Sequence, residues 1–307
     1  MNPRRYLFVV NPEAGFGRAA RLLASALERF PVLRETSRTI TVRSVDDVVS
    51  HLSSAAGGTI VPVAAGGDGT VNLVVRALFS RRSELRVLGV LPLGTGNLLA
   101  NFVGARSLDR GLQILERGRE QPTDVFHTSH PDMPLALMSI SVGVESRFID
   151  CLARLRRPSH ARGLALASMR SVRGSVAGCE LTVDGEPLVT GDPVYNLGLY
   201  NTKCYAFGWV VLPDADPADG EGEAVVHKTA RTYWRALFRG LRIDERRTGQ
   251  LAPRYRRWRR ATITSTQPIQ VDGEVVAGAS FEVWVERRAV HVMADPGALW
   301  CTDRYGE

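Results

Sequence analysis

Short apolar runs alternate with amphipathic segments in the first part of the chain. Residues 6–10 are all apolar or aromatic and end at a polar Asn-Pro, and residues 19–30 then repeat apolar positions at helical spacing. The same alternation predicts further strands at residues 39–45, 59–64 and 86–91, with helices at residues 48–55 and 70–78. Strands that alternate with helices are typical of a parallel, doubly wound sheet.

After residue 124 the pattern changes to short apolar runs separated by turn-forming pairs. Asp184-Gly185 and Asp272-Gly273 are two such pairs, and Asp-Gly between apolar runs favours hairpins. Two helical stretches interrupt these runs, at residues 147–172 and 232–243. We therefore predict an α/β domain over residues 1–124, followed by an antiparallel β domain over residues 125–289.

Composition places the chain among ordinary soluble proteins. It has 307 residues and a net charge of +7, and Lys203 and Lys228 are its only lysines. Nearly all of the positive charge is therefore arginine. Arginine suits bidentate contacts to phosphate, but a high arginine content is also typical of proteins from GC-rich genomes. The four cysteines are far apart, which predicts reduced, cytosolic thiols. No stretch is apolar enough for a signal peptide or a membrane-spanning helix, so any membrane contact is expected to be peripheral.

Three glycine-rich loops follow predicted strands, at residues 11–18, 66–72 and 92–97. Parallel strands bind ligands at their carboxyl ends, and glycines let backbone amides approach a phosphate. Neither a Walker A motif nor a dinucleotide fingerprint occurs, so Arg18, backbone amides and a metal ion are the candidates to meet the phosphate charge. Asp68, inside the second loop, is placed to deprotonate a hydroxyl or hold a metal; the alternative is a helix N-cap.

These loops resemble the diacylglycerol kinase catalytic-domain family, which includes sphingosine kinases and bacterial lipid kinases. The resemblance rests on Gly66-Gly67-Asp68-Gly69-Thr70 with Asn72, on Pro92-Leu93-Gly94-Thr95-Gly96-Asn97, and on Asn11-Pro12 with Gly15. It implies an ATP-binding α/β domain completed by residues 290–307, a β-sandwich domain for a lipid substrate, and an active site in the cleft between them. It also implies ATP and Mg²⁺ as cofactors.

The resemblance assigns roles to individual residues. Asp68 becomes a general base or metal-linked carboxylate, Glu274 a second catalytic carboxylate, and Glu145 a substrate residue. The implied nucleotide-binding residues are Asn11, Gly15, Arg18, Gly66, Gly67, Gly69, Thr70, Asn72, Gly94, Thr95, Gly96 and Asn97. The sequence departs from the family pattern at Leu73, Leu98 and residues 207–209, including Trp209, which leaves the acceptor pocket open.

An acidic loop lies at residues 214–223. Its crowded carboxylates make Asp216 and Asp219 candidate ligands for Mg²⁺ or Ca²⁺, because hard cations prefer oxygen ligands. A solvated acidic turn is the alternative.

A basic amphipathic helix is predicted near residue 235. Tyr233, Trp234, Leu237, Phe238 and Leu241 share one face, and arginines occupy much of the remainder. With the arginine-rich residues 254–260, this helix predicts docking on an anionic membrane at its cytoplasmic face. The alternative is that the apolar face packs on the β domain.

The function expected from the sequence is transfer of the ATP γ-phosphate to a hydroxyl of a lipid such as diacylglycerol or a sphingoid base. A soluble small-molecule kinase of the NAD kinase type is the first alternative, and a non-catalytic nucleotide-binding regulator is the second. No nucleic acid is expected as a partner, since no nucleic-acid-binding module is recognisable. The oligomeric state, including a dimer, stays open.

Overall fold

The computed structural model describes residues 4–53, 60–80, 86–94, 96–154, 167–172, 174–205, 209–210, 212, 214–239, 254–296 and 298. These residues form two compact units. The first contains the described residues of 4–123 and 288–298, and the second contains those of 124–287.

The strands and helices are numbered along the chain. The strands are β1 (Arg5–Val10), β2 (Ser37–Thr41), β3 (Ile60–Gly66), β4 (Val87–Pro92), β5 (Arg119–Thr128), β6 (Leu135–Ala136), β7 (Ser139–Gly143), β8 (Cys179–Val183), β9 (Glu186–Thr190), β10 (Asn196–Tyr200), β11 (Cys204–Tyr205), β12 (Trp209–Val210), β13 (Gly222–His227), β14 (Arg254–Trp258), β15 (Arg260–Ser265), β16 (Ile269–Val271), β17 (Glu274–Val276) and β18 (Ser280–Ala294). The helices are α1 (Ala19–Leu27), α2 (Pro31–Thr36), α3 (Val45–Ser53), α4 (Asp68–Ser80), α5 (Leu98–Phe102), α6 (Leu108–Arg117), α7 (Val144–Arg154) and α8 (Ala230–Arg239).

The first unit is built on a parallel sheet in the order β2-β1-β3-β4, and His291 and Val292 at the end of β18 pair in parallel with β4. The chain moves from β1 outward to β2 and then returns across β1 to β3. That reversal makes the gap between β1 and β3 the topological switch point, where open α/β sheets bind ligands. The predicted parallel α/β fold is confirmed.

The end of β2 differs from the prediction. The strand stops at Thr41 and α3 begins at Val45, whereas the pattern placed a strand through residue 45. The Asp47 carboxylate accepts the backbone N–H groups of Arg43 and Ser44, at 3.1 and 3.2 Å, and the Ser44 hydroxyl accepts the N–H of Asp47. These local bonds begin the helix early, although Val42 and Val45 read as strand residues. Helices α2, α5 and α6 were not predicted.

The second unit is a β-sandwich. One sheet is antiparallel in the order β14-β13-β10-β7-β16-β17, and the other contains β9, β8, β15 and the first part of β18. Side chains alternate across a strand, so one face of the six-stranded sheet supplies Ile140 and Leu197 to a core shared with Leu181, Ile263 and Phe281. The predicted β-sandwich is confirmed.

The opposite face of the six-stranded sheet is polar but buried. Ser141, Asn196, Tyr200, Glu223 and His227 lie on it in adjacent strands and are at most 1% exposed. Helix α7 packs against β7, β16 and β17, and α8 packs against β13. A polar surface buried in this way must satisfy its hydrogen bonds internally or through a ligand.

The two predicted helical stretches of this unit have different bounds. Helix α7 begins three residues earlier than predicted and ends at Arg154, with residues 155–166 outside the described part. Helix α8 begins at Ala230 and is described to Arg239, so Leu241 lies outside the described residues.

The apolar face of α8 points inward. Tyr233, Ala236 and Leu237 are buried, whereas Arg231 and Arg235 are exposed. Tyr233 and Leu237, two residues of the face that the sequence predicted for membrane contact, therefore pack inward, as the alternative interpretation expects, and docking on a membrane stays a prediction. Within the described residues, no helix combines the length and apolar character needed to span a bilayer.

Candidate active site

The three glycine-rich loops lie together at the carboxyl edge of the parallel sheet. Strands β1, β3 and β4 are neighbours, and the N–H of Leu93 donates to the Gly66 carbonyl at 3.1 Å. Gly15 has φ +59°, and a Cβ there would lie 3.0 Å from the Leu93 carbonyl oxygen. A Cβ on Gly94 would overlap the backbone of Gly67. The loops therefore pack backbone against backbone, which only glycine permits at these positions.

Asn97 closes the third loop. Its Oδ1 accepts the Gly94 N–H at 2.8 Å, and its Nδ2 donates to the Gly94 carbonyl at 2.9 Å. Its φ of 50° is in the left-handed region, which Asn tolerates better than most residues. Asn97 thus shapes the loop, and its contact with a nucleotide stays a prediction. Thr95 lies outside the described residues.

Asp68 joins the second loop to the third. It is the first residue of α4, and its Oδ1 accepts the Leu98 N–H at 2.8 Å, so it satisfies the start of α5. A Cβ on Gly96 would lie only 2.6 Å from Asp68 Oδ2. The sequence offered a helix N-cap as the alternative role of Asp68. Asp68 does accept a backbone N–H at the start of a helix, but that helix is α5 and not the expected α4. Because the bond uses the backbone of Leu98, the departure from the family pattern at this side chain does not affect it.

The pKa of Asp68 is suited to proton transfer. Burial raises the pKa from 3.8 to about 6, against the opposing effect of the Leu98 and Leu99 backbone N–H groups. A general base is most effective when its pKa is close to the working pH. The carboxylate is therefore ionised near neutral pH and basic enough to receive a proton from a hydroxyl.

The other predicted nucleotide residues occupy varied positions around these loops. Asn11 Oδ1 accepts the Glu13 N–H at 2.9 Å, which shapes the first loop. Arg18 is exposed, and its Nε lies 3.4 Å from the Gly15 carbonyl oxygen. Thr70 and Asn72 are buried in α4, with the Thr70 side chain against Gly66. Gly69 is half-buried in the first turn of α4. Among the predicted nucleotide-binding residues, Arg18 is the one with a positively charged side chain that could bind an anionic ligand.

Residues 5–128 match the family model of the diacylglycerol kinase catalytic domain. These residues are a diacylglycerol kinase catalytic domain. The family recognised from the glycine-rich loops is confirmed, and the chain is a phosphotransferase that acts on a hydroxyl. The match of this kinase domain also supports ATP as the phosphoryl donor.

Full-length relatives are similar along most of the chain. A Cronobacter sakazakii protein named "Probable lipid kinase YegS-like" is 26% identical over 88% of this chain and 88% of its own length. A Serratia proteamaculans protein of the same name is 24% identical over 96% of this chain and 95% of its own length. The similarity of the kinase domain therefore extends into the second unit.

Solved structures share the fold. One Bacillus anthracis crystal structure has a TM-score of 0.74 at 17% identity, and covers 96% of this chain and 99% of its own. Another from this organism, described as a diacylglycerol kinase, has a TM-score of 0.66 at 16% identity, with coverages of 96% and 99%. These likenesses support the α/β plus β-sandwich fold that the kinase domain and its partner unit were expected to form.

Beyond the kinase domain, Glu145 lies in the second unit at the start of α7. Gly143 precedes it with φ +112°, and a Cβ there would lie 2.9 Å from Asn196 Cα, so glycine allows the strand to turn into the helix. The Tyr200 hydroxyl is 2.9 Å from both Glu145 carboxylate oxygens, and that of Tyr233 is 3.3 Å from Oε1. Sequence reasoning missed both tyrosines, which are 55 and 88 residues away.

Asp272 holds the hairpin that carries Glu274. Its carboxylate accepts backbone N–H groups from Leu137, Met138 and Ser139 at 2.6 to 2.9 Å. Glu274 is exposed at the first position of β17. The Asp272 carboxylate therefore has a structural role. An Asp-Gly pair in the sequence predicts only a turn and did not reveal these three hydrogen bonds. The catalytic role of Glu274 stays a prediction.

Arginine neutralises much of the acidic loop. Arg257 forms ion pairs with Asp219 and Glu221, and Asp216 Oδ1 accepts the Ala218 N–H at 2.9 Å. The described residues contain no group of three or more His, Cys, Asp or Glu side chains arranged to hold a metal. Metal binding at Asp216 and Asp219 stays a prediction. Nearby, burial raises the pKa of Glu223 to about 9.

Proposed function

We propose that the protein transfers the γ-phosphate of ATP to a hydroxyl of a lipid such as diacylglycerol or a sphingoid base. The observation that carries this proposal is the Asp68 carboxylate, held between two glycine-rich loops at the carboxyl edge of a parallel sheet. A carboxylate beside phosphate-binding backbone has a clear use in phosphoryl transfer. The names of the relatives and of the family model support a lipid as the acceptor.

In this proposal the loops bind and Asp68 moves the proton. Backbone N–H groups of the glycine-rich loops and the Arg18 guanidinium receive the triphosphate. Asp68 Oδ1 stays bonded to Leu98, and Oδ2 takes the proton of the acceptor hydroxyl. Asp68 would be the protein carboxylate available to Mg²⁺ beside the phosphate oxygens and water, and the ion would neutralise charge on the phosphates. Because only ionised Asp68 is basic, activity should rise with pH through about 6.

Two carboxylates of the second unit complete the proposal. Glu145 contacts the acceptor, since it is a half-buried carboxylate that accepts hydrogen bonds from uncharged tyrosine hydroxyls. Glu274 assists the transfer as a second carboxylate, with Asp272 holding its hairpin.

The test is transfer from γ-labelled ATP to a fractionated total lipid extract, with the product identified by mass. Asp68→Asn should fold and lose at least about 10²-fold in turnover, the range of general base catalysis. Asp47→Asn, at an exposed carboxylate on α3, is the matched control and should retain turnover. Near-wild-type turnover of Asp68→Asn would contradict the role of Asp68. Label in a water-soluble product alone would favour the soluble-kinase alternative. Glu274→Gln should also be impaired.

We further propose that the protein docks on anionic membrane at the cytoplasmic face. The exposed guanidinium groups of Arg231 and Arg235 support this, and each basic group near such a surface contributes about 1 kcal/mol. Arg257 and Arg259 contribute less, because they pair with the acidic loop. Because Tyr233 and Leu237 of α8 are buried, the attraction should be mainly electrostatic and salt-sensitive.

Sedimentation with phosphatidylglycerol vesicles and with phosphatidylcholine vesicles tests this docking. Binding to the anionic vesicles alone, reduced at high salt and by Arg231→Gln with Arg235→Gln, is expected. Equal binding to both vesicle types, or binding to neither, would contradict it.

A further inference from the structure

A closed ring of hydrogen bonds surrounds Glu145. Its backbone N–H donates to Asn196 Oδ1 at 3.2 Å, and Asn196 Nδ2 donates to the Tyr200 hydroxyl at 3.2 Å. A backbone N–H can only donate, so it fixes which end of the Asn196 amide faces Tyr200. The hydroxyl accepts from that amide, and its single hydrogen is left for the Glu145 carboxylate, 2.9 Å from both oxygens. The donor direction is therefore determined by the backbone itself.

The direction of the Tyr200 side chain has its own cause. Asn196, Gly198 and Tyr200 share one face of β10, while Leu197 and Leu199 face the sandwich core. A Cβ on Gly198 would overlap the ring and hydroxyl of Tyr200. The absence of a side chain at Gly198 thus allows the ring to lie along the strand and reach Glu145.

Tyr233 supplies a second donor from another element. Its hydroxyl lies 3.3 Å from Glu145 Oε1, and it belongs to α8 rather than to the sheet. Its ring packs edge-on against His227, with centroids 5.3 Å apart and planes at 83°. Tyr233 and His227 are both buried, so this packing restricts the ring.

Uncharged groups surround the Glu145 carboxylate and hydrogen-bond to it. Burial raises the pKa of this carboxyl, and the hydrogen bonds from Tyr200 and Tyr233 act in the opposite direction. Burial lowers the pKa of His227 to about 3, so the imidazole is uncharged. In the described part of the chain, no arginine, lysine or histidine forms an ion pair with Glu145. Its orientation and its ionisation therefore depend on the two tyrosines.

We propose that Tyr200 and Tyr233 are positioning residues for the acceptor, which hold the Glu145 carboxylate so that its remaining lone-pair capacity receives the acceptor hydroxyl on binding, before that hydroxyl gives its proton to Asp68. This rests on the proposed function, in which Glu145 contacts the acceptor. A carboxylate accepts about four hydrogen bonds, and the two tyrosine hydroxyls supply one hydrogen each, so capacity remains for the acceptor. The neutral surroundings suit an uncharged alcohol group.

The test uses Tyr200→Phe and Tyr233→Phe, with dioctanoylglycerol in detergent micelles as the acceptor. Loss of a hydrogen bond to a charged group should raise the acceptor KM by about tenfold or more for Tyr200→Phe, and less for the longer Tyr233 bond. The KM for ATP should not change. Removing a donor that favours the ionised carboxylate should also move the acidic limb of the kcat/KM profile to higher pH.

Tyr195→Phe is the matched control. Its hydroxyl accepts from Trp234 Nε1 at 3.0 Å and does not reach Glu145, so neither the acceptor KM nor the acidic limb should move. Carboxyl-¹³C NMR of glutamate-labelled protein gives a readout that needs no acceptor. Tyr200→Phe should raise the pKa of Glu145, and Tyr195→Phe should not, with melting curves to verify folding.

The outcomes separate this inference from the proposed function. If Glu145→Gln keeps the wild-type acceptor KM, the acceptor role of Glu145 is wrong. If Glu145→Gln is impaired while Tyr200→Phe and Tyr233→Phe behave like Tyr195→Phe, the positioning role is wrong. In a double-mutant cycle, Tyr200→Phe should have little further effect in the Glu145→Gln background; full additivity would overturn the inference.

Discussion

Replacing Asp68 with Asn should stabilise the free protein while it removes activity. The side chain keeps its shape, and its Oδ1 can still accept the Leu98 N–H. In the wild type the folded-state pKa of Asp68 is about 6, against 3.8 for the unfolded chain. The folded state therefore binds this proton more tightly, and its stability falls as the pH rises from about 3.8 to about 6. A shift of roughly two pKa units corresponds to about 3 kcal/mol.

Urea unfolding at several pH values measures this effect. At pH 8 Asp68→Asn should exceed the wild type by about 3 kcal/mol in free energy of unfolding, and at pH 5 by about half of that. The difference should vanish below about pH 3.8, where the wild-type carboxyl is protonated in both states.

Asp47→Asn is a control of opposite sign. Hydrogen bonds from the backbone N–H of Arg43 and the side chain of Ser44 lower the pKa of Asp47, so its stabilisation is present above pH 3.8 and is lost as the pH falls through its folded-state pKa. Its Asn variant should be less stable than the wild type at pH 8. If Asp68→Asn were no more stable than the wild type at pH 8, the burial argument for Asp68 would be refuted.

Three further variants test other parts of the structure. Gly94→Ala should weaken ATP binding by at least about tenfold in calorimetry, because its Cβ overlaps the backbone of Gly67 and overpacking costs about 1–3 kcal/mol. Glu223→Gln should raise the free energy of unfolding, increasingly between pH 4.5 and about 9, since the folded protein retains a proton there that the unfolded chain releases; a pH-independent difference would contradict this. Asp216→Ala with Asp219→Ala should abolish any rise in Tm caused by Mg²⁺, and an unchanged rise would exclude these residues as metal ligands.

Local sequence determined the elements of the first unit and the nature of its loops. The apolar run after Arg5 forms β1 as predicted, and Gly67 and Gly94 lie in the loops that the pattern identified, directly after β3 and shortly after β4. These features are readable because strand burial and glycine geometry depend on neighbouring residues. Asp68 was also recognised from the sequence, because a carboxylate flanked by glycines is unusual in a phosphate-binding loop.

Tertiary structure decided which groups those residues meet. The bond from Leu98 to Asp68 spans 30 residues, and the tyrosines that hold Glu145 come from β10 and α8. The periodicity of α8 gave an apolar face but not its direction, because core and membrane favour the same side chains. Likewise, the sequence indicated no partner for the carboxylates of the acidic loop. In the structure Arg257 of β14 forms ion pairs with Asp219 and Glu221. Contacts of this kind depend on strand order and register, which a single sequence does not encode locally.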